Sequence, residues 1–330
     1  MIAIAMLLIT ALMACALVCL VPHIVWGVWL LVAAIFKLPM PPYAPFGWSA
    51  LGLVAAVLLA MAYGFVWGRF RVWVNQTEYA NPDIPPTFDG YKIVQISDLH
   101  LSTFDDRPAA LQRIIDSINA QQPDLVCFTG DLVTMGVAEA VPYADMLRQL
   151  RATDGVVSVL GNHDFLIYAQ LSDNEREHEV EKLTNFEREK LGWQLLRNAN
   201  ISIERHGETI YIVGVDNASC AGQGFRTIHN GDLGKALAGT DGFCVLLSHD
   251  PTQWCAEIVG QTAIPLMLSG HTHAGQVRLF GRTLSSLMFR ESAGWYCEGD
   301  QLLYVNQGVG CTAPFRINCP SEITVITLKR

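Results

Sequence analysis

Apolar residues are distributed along this chain in two regimes: almost unbroken over residues 1–68, and in short bursts between polar turns from residue 69 onward. The stretch WSALGLVAAVLLAMAYGFVWG, residues 48–68, runs for 21 residues without a charge, enough to cross a hydrocarbon core of about 30 Å as a helix. Residues 1–36 are also uncharged, but as one helix rising about 1.5 Å per residue they would overshoot that core. Pro22-His23 is therefore expected to separate a span over 1–20 from a shorter segment, 24–36. That gives two or three transmembrane helices in a membrane segment of residues 1–70. A cleaved signal peptide fits the pattern less well, since no basic stretch precedes the apolar run.

Beyond this head the bursts read as strands: KIVQIS (92–97), DLVCFT (124–129), GVVSVL (155–160), TIYIVGV (209–215), FCVLLS (243–248), IPLMLS (264–269), QLLYVN (301–306) and EITVITL (322–328). Several are apolar on both faces, as a sheet covered by helices requires. Between the first two, Leu111, Ile114, Ile115 and Ile118 fall at i, i+3, i+4 and i+7 with Pro108 in the first turn, which predicts a helix and hence a strand-helix-strand unit. Residues 173–191, DNEREHEVEKLTNFEREKL, predict a second helix, highly charged, with a sparse stripe of Val180, Leu183, Phe186 and Leu191. Such charge runs are read first as solvated surface. Residues 71–90 are expected to be a linker, because Pro82, Pro85 and Pro86 interrupt a stretch without apolar periodicity, and the folded domain is expected over 91–330.

Charge sharpens the division. Lys37 is the one formal charge in residues 1–68, whereas the other 21 basic and all 31 acidic residues lie from Arg69 onward, a net charge of −10 for the body. That body has no cluster of Lys and Arg, which speaks against a nucleic-acid partner. Arg69 and Arg71 follow the last apolar stretch directly and favour a cytoplasmic catalytic body, so the expected location is a multi-pass membrane protein. Of nine cysteines, Cys15 and Cys19 fall in the first span. The remaining seven form no CxxC pair and read as reduced thiols.

The candidate chemistry lies where five expected strands end. They are followed by Asp98-Leu99-His100, Gly130-Asp131, Gly161-Asn162-His163-Asp164, His249-Asp250 and Gly270-His271-Thr272-His273. In parallel sheets the carboxyl ends of the strands face one crevice, so loops distant in sequence deliver side chains to a single place. The spacing of Asp98 and His100, and of His271 and His273, puts both members of each pair on one side of an extended chain. Carboxylates and imidazoles gathered in one crevice cost several kcal/mol per desolvated ion unless cations compensate them. Asp, Asn and His without thiolate suit divalent Mn, Fe, Zn or Mg, in a number sufficient for two ions.

In order, DLH, GD, GNHD, a His before Asp-Pro, and GHTH resemble the motifs of the calcineurin-like metallophosphoesterases, over residues 91–330. The segments LYVNQGVG and PSEITVITL resemble the bacterial membrane-associated subgroup, related to transmembrane metallophosphoesterases. The resemblance implies a four-layer α/β/β/α sandwich, preceded here by the transmembrane helical segment. It also implies two divalent metal ions, with Asp98, His100 and His273 on one, Asn162, His249 and His271 on the other, and Asp131 bridging both. Ala274 stands where many relatives of the subgroup carry a second glycine.

A hydroxide shared by two ions would attack a phosphoryl group in line, with the ions clamping the phosphoryl oxygens. His163 is expected to protonate the leaving oxygen, with Asp164 orienting it. The expected substrate is an amphipathic phosphate ester or pyrophosphate at the membrane, of the UDP-2,3-diacylglucosamine type in lipid A synthesis, with membrane lipids as partners. Phe165, Leu166, Ile167 and Tyr168, with the helix after them, would then form a lid or acyl-chain groove. The alternatives are a broad-specificity phosphodiesterase on soluble nucleotides and a catalytically silent, membrane-tethered binding protein. Trp254, Trp295 and Arg316 either rim the site or pack, packing being the default for aromatic residues.

Overall fold

A computed structural model describes the chain from Ile2 to Arg330. Met1, the first residue of the first expected span, lies outside the described residues. The chain divides into two compact units, Met1–Arg69 with Ala313–Ile317, and Phe70–Thr312 with Asn318–Arg330.

The first unit holds two helices, Ile2–Phe36 and Ala44–Val66, each long and apolar enough to cross a membrane. The expected division at Pro22 does not occur: Pro22 lies inside an unbroken helix. A proline removes one backbone hydrogen bond, and apolar spans tolerate it where nearby groups satisfy the freed carbonyls. The adjacent His23 makes side-chain contacts of its own, with Nδ1 2.6 Å from the Cys19 carbonyl and Nε2 2.9 Å from the Tyr43 hydroxyl. Arg316 belongs to this unit, where it is fully buried and its backbone N–H donates to the Gly64 carbonyl at 3.3 Å.

The second unit is built on two six-stranded sheets. In the first the order is Val72–Ala80, Ser321–Lys329, Lys92–Ile96, Leu125–Phe128, Val156–Ser158 and Gln194–Leu195. In the second it is Gly294–Glu298, Gln301–Val305, Leu266–Ser269, Phe243–Leu247, Glu208–Gly214 and Ala199–Arg205. Side chains from the facing sheets, including Ile93, Leu125, Val157, Val245, Leu266 and Tyr304, form the central core. The outer face of the first sheet packs on the helix Pro108–Asn119, which buries Leu111, Ile114, Ile115 and Ile118 as its spacing predicts, and on Leu183, Phe186 and Leu191. The outer face of the second packs on Trp254, Ile258 and Ala236. These are the four layers of the expected sandwich.

Residues 71–90 are not a free linker. Val72–Ala80 is a full edge strand, parallel to Ser321–Lys329, and Tyr79, Ile84 and Phe88 are buried in the core. The prolines mark only the turn that follows. Trp295 stacks on Tyr79 with ring centroids 6.2 Å apart, and Trp254 is fully buried, so both pack rather than rim the site.

The charged segment is likewise more than solvated surface. Ser172 opens the helix Asp173–Asn185 with a capping box to Glu175, and the helix continues as a wider turn, Phe186–Leu191, ended by Gly192 at φ 74°. Glu187 in that turn is fully buried, with one carboxylate oxygen accepting from Ser158 Oγ at 2.6 Å. Burial first, then the charge of Asp164, pushes its carboxyl up to about 8. The folded state therefore holds this proton where the unfolded chain, titrating near 4.5, has lost it. Stability contributed at low pH is lost as pH rises from about 4.5 to about 8. Glu187→Gln is expected to flatten that decline and to raise stability at pH 8 relative to wild type; urea unfolding at several pH values checks it.

Candidate active site

Five strands end at one place. Lys92–Ile96, Leu125–Phe128 and Val156–Ser158 run parallel in the first sheet, and Phe243–Leu247 and Leu266–Ser269 run parallel in the second. Their carboxyl ends present Asp98, His100, Asp131, Asn162, His163, His249, His271 and His273. The sheets are stitched by buried contacts at this end: Gln95 Nε2 donates to the Ser269 carbonyl at 2.8 Å, and His249 Nδ1 lies 2.7 Å from the Thr129 carbonyl.

The chain leaves these strands by sharp left-handed turns. Asp98, His100, Asp131, His271 and His273 have φ of 52°, 38°, 61°, 72° and 49°, a region that costs side-chain-bearing residues of order 1–3 kcal/mol each. The expected extended i, i+2 geometry of the two pairs is thus not what aligns them; paired left-handed turns do. Ala274, at φ 52° and fully buried, shares this conformation, which accounts for a position that favours glycine. Gly270 has a different necessity, because a Cβ there would fall on Ser97 Oγ and Asp98 Oδ2.

The donor atoms form two adjoining groups. In one, His273 Nε2 is 3.2 Å from Asp98 Oδ1 and 3.1 Å from His100 Nε2. In the other, Asn162 Oδ1 is 3.1 Å from His249 Nε2 and 2.9 Å from His271 Nδ1, and the two imidazoles are 3.3 Å apart. Asp131 Oδ2 stands between them, 3.5 Å from His100 Nε2 and 3.2 Å from His249 Nε2. Ligands about 2.1 Å from one ion lie roughly 3–3.5 Å from each other, so the residues present fit two divalent ions with Asp131 between them. Three outward nitrogens are also engaged: His100 Nδ1 with Thr134 Oγ1 at 3.1 Å, His249 Nδ1 with Thr129, and His271 Nε2 with Gln223 Oε1 at 2.8 Å. Such bonds fix which imidazole nitrogen faces a cation.

The electrostatics carry the same message. Burial would raise the Asp131 carboxyl, but the imidazoles of His249, His163 and His100 hold it well below the usual carboxylate range. Burial would lower His249, and Asp131 overrides this and pushes it up to about 10. Asp98 is pushed up to about 6, by burial above all.

His163 and Asp164 separate in role. His163 Nδ1 lies 3.0 Å from the Thr134 carbonyl, and its ring stands edge-on to His100 with centroids 4.8 Å apart. Asp164 does not orient it. Its carboxylate accepts from the backbone N–H groups of Asp131, Leu132, Val133 and Gly161 at 2.7 to 3.2 Å, so it braces the turn that presents Asp131. Nor do residues 165–168 make a lid: Phe165, Leu166 and Ile167 are buried beside Leu160, Val180 and Leu183. Tyr168 is tied to the site instead, its hydroxyl 3.1 Å from Asn162 Nδ2, which turns the Asn162 amide oxygen toward the histidines.

Sequence reasoning missed Gln223 and the roles of Ser219 and Asp250. Asp250 Oδ2 accepts from Ser219 Oγ at 2.5 Å and Gln223 Nε2 at 2.6 Å, and lies 3.6 Å from His271 Nε2. The strand Glu208–Gly214 also ends in a polar pair, Asp216-Asn217, the same signal as the other five. The loop after it carries Ser219 and Gln223.

A family model described as calcineurin-like phosphoesterase matches residues 91–275, and the chain belongs to that family. The family hydrolyses phosphoesters with a dinuclear divalent metal centre, and the clustered Asp and His side chains suit such a centre. A transmembrane protein with metallophosphoesterase domain from Danio rerio is 32% identical over 290 residues, covering 86% of this chain and 63% of that protein. An uncharacterized metallophosphoesterase of Bacillus subtilis is 32% identical over 298 residues, covering 84% of this chain and 94% of that one. Among solved structures, the NAD nucleotidase of Haemophilus influenzae aligns with a TM-score of 0.42 at 17% identity, covering 67% of this chain and 45% of that one.

Asp164→Asn sets an amide N–H₂ against the backbone donors around it. It is expected to cost about 2–4 kcal/mol of stability and to weaken divalent-metal uptake, whereas His163→Ala keeps both near wild type. Denaturant unfolding and metal titration of the two variants check this.

Proposed function

We propose that this chain is a membrane-anchored phosphodiesterase or pyrophosphatase acting on an amphipathic phosphate ester. Asp98, His100 and His273 hold one divalent ion, Asn162, His249 and His271 the other, and Asp131 serves both. Divalent ions in such a pair lower the pKa of water and neutralise phosphoryl charge. His163 donates Nδ1–H to the Thr134 carbonyl and presents Nε2, which in the imidazolium form carries the proton for the leaving oxygen. Asn162, a neutral ligand, adds no negative charge where an anionic substrate must sit.

The observation that carries the amphipathic substrate is an apolar surface directly after the histidine loop. Leu279, Phe280, Leu284, Leu287 and Met288 are exposed, Phe280 and Leu287 to 104% and 80%. A groove of about 210 Å³ runs among Val277, Leu279, Leu284, Leu287 and Arg282, which supplies a cation for a headgroup. The surface is anchored to the loop, since a Cβ on Gly275 would meet Leu284 and Ser285. A contiguous apolar patch on a polar body marks a lipid or partner surface. UDP-2,3-diacylglucosamine is one compound of the required chemistry, with a pyrophosphate to cleave and acyl chains for this surface. Two helices able to cross a membrane support tethering, and Arg69 and Arg71 after the second favour a cytoplasmic body.

Asp131→Asn is expected to abolish Mn-supported hydrolysis of a small chromogenic diester, and wild-type-like turnover would overturn the two-ion assignment. His163→Ala is expected to slow esters with poor leaving groups by about 10²-fold or more while sparing activated ones, as kcat for a leaving-group series will show. Phe280→Ser with Leu287→Ser is expected to impair a diacylated diester in mixed micelles at least tenfold and to leave the small diester unchanged. Equal loss on both substrates would remove the apolar surface from the account.

A further inference from the structure

Among the described residues outside the dinuclear site, one more group of side chains has the composition of a metal centre. Cys220, His229 and Glu257 each offer a donor atom within 4.8 Å of the others. Cys220 Sγ is 3.6 Å from His229 Nδ1, and His229 Nε2 is 3.5 Å from Glu257 Oε1. Donors bound to zinc at about 2.0–2.3 Å lie roughly 3.3–3.8 Å apart. One imidazole gives an ion one nitrogen, so a rotation of the partly exposed Glu257 carboxylate toward the Nδ1 edge of His229, where Cys220 Sγ lies, brings one atom of each residue onto one ion.

The three residues are held from separate elements. Ala218 and His229 form an antiparallel bridge, and the Ser219 N–H donates to the Ile228 carbonyl at 3.0 Å, so Cys220 and His229 sit on the two arms of one closed loop. The Cys220 N–H donates to Thr252 Oγ1 at 3.0 Å. Glu257 lies in the turn Trp254–Ile258, and one of its oxygens accepts from the buried Gln253 Nε2 at 2.7 Å while the other faces His229. A carboxylate oriented in this way, with one oxygen held and one presented, is the arrangement metal ligands require. Burial, then the charges of Glu257 and Asp250, pushes the Cys220 thiol up to about 12, and the same negative surroundings attract a cation.

We propose that Cys220, His229 and Glu257 bind a third, thiophilic divalent ion such as zinc, which pins the loop bearing Ser219 and Gln223 beside His271. Thiolate, imidazole and carboxylate together select zinc or cobalt over magnesium and calcium, and uptake releases the thiol proton to solvent. Three protein ligands leave a fourth position for water. His229 is exposed, which gives the ion an entry path. The ion's effect on the catalytic centre passes through Gln223, which bonds both His271 and Asp250.

Cobalt reads this site separately from the dinuclear one, because none of the seven proposed catalytic ligands is a cysteine. The metal-free full chain in detergent, titrated with Co²⁺, is expected to develop a near-ultraviolet thiolate-to-cobalt charge-transfer band that saturates at one ion per chain. The band is expected to vanish in Cys220→Ser, to need more than about tenfold higher Co²⁺ in His229→Ala, and to persist in Cys255→Ser and in Asp131→Asn. A wild-type protein with no such band, or a band that survives Cys220→Ser, overturns the proposal. Loss of the band in Asp131→Asn also overturns the independent third site. A failure of the dinuclear assignment alone would leave the band and its dependence on Cys220 intact.

Discussion

Asp131 is buried to 1% exposure where the carboxyl ends of two sheets meet, with His100, His163 and His249 around its carboxylate. A charge in that position costs several kcal/mol unless it is compensated, and much of the surrounding structure is arranged to place and compensate it. Asp164 spends its entire carboxylate on the backbone that turns to present Asp131. Gly161 comes so near that a Cβ would strike the Asp131 carboxylate. The left-handed turns at Asp98, His100, His271 and His273 store strain that the two packed sheets hold in place, a cost that makes sense only if the donors must converge before any ligand arrives.

Convergence needs both sheets. Neither alone supplies either group of donors: Asp98 and His100 come from the first sheet and His273 from the second, while Asn162 comes from the first and His249 and His271 from the second. The Gln95 and His249 contacts across the interface therefore set the register of the site as well as of the core. Around it, Thr134, Thr129, Gln223 and Tyr168 decide which nitrogen or oxygen of each donor turns inward.

Two apolar segments of this protein meet opposite fates. Residues 165–167 follow the GNHD motif and are absorbed into the packing under the helix Asp173–Asn185, whereas the large apolar residues of 279–288 follow the GHTH motif and stay exposed. Both carry large apolar side chains, three in 165–167 and five in 279–288. The difference is that the first has a partner in Val180 and Leu195, and the second lies on a small two-stranded hairpin, Arg278–Leu279 with Arg282–Thr283, with little above it. The apolar surface on which the proposed substrate reading rests is the segment that packing left uncovered.

The sequence by itself determined the interior of the sandwich and the identity of the donors. All eight predicted strands form, because interior strands covered on both faces must be continuously apolar and so stand out from their surroundings. Within the two six-stranded sheets, the four it did not reveal, Val72–Ala80, Gln194–Leu195, Ala199–Arg205 and Gly294–Glu298, are the four sheet edges. An edge strand is half polar and short of partners, so its pattern resembles a loop, which is why 71–90 read as a linker. The donors were legible because each follows an apolar run at once. What only the tertiary structure decided was which group faces which: Asp164 toward backbone N–H groups rather than His163, Gln223 toward His271 across 48 residues of chain, and Pro22 inside a helix. A hydrogen bond between loops depends on the relative placement of distant strands, and no local pattern of residues encodes that placement.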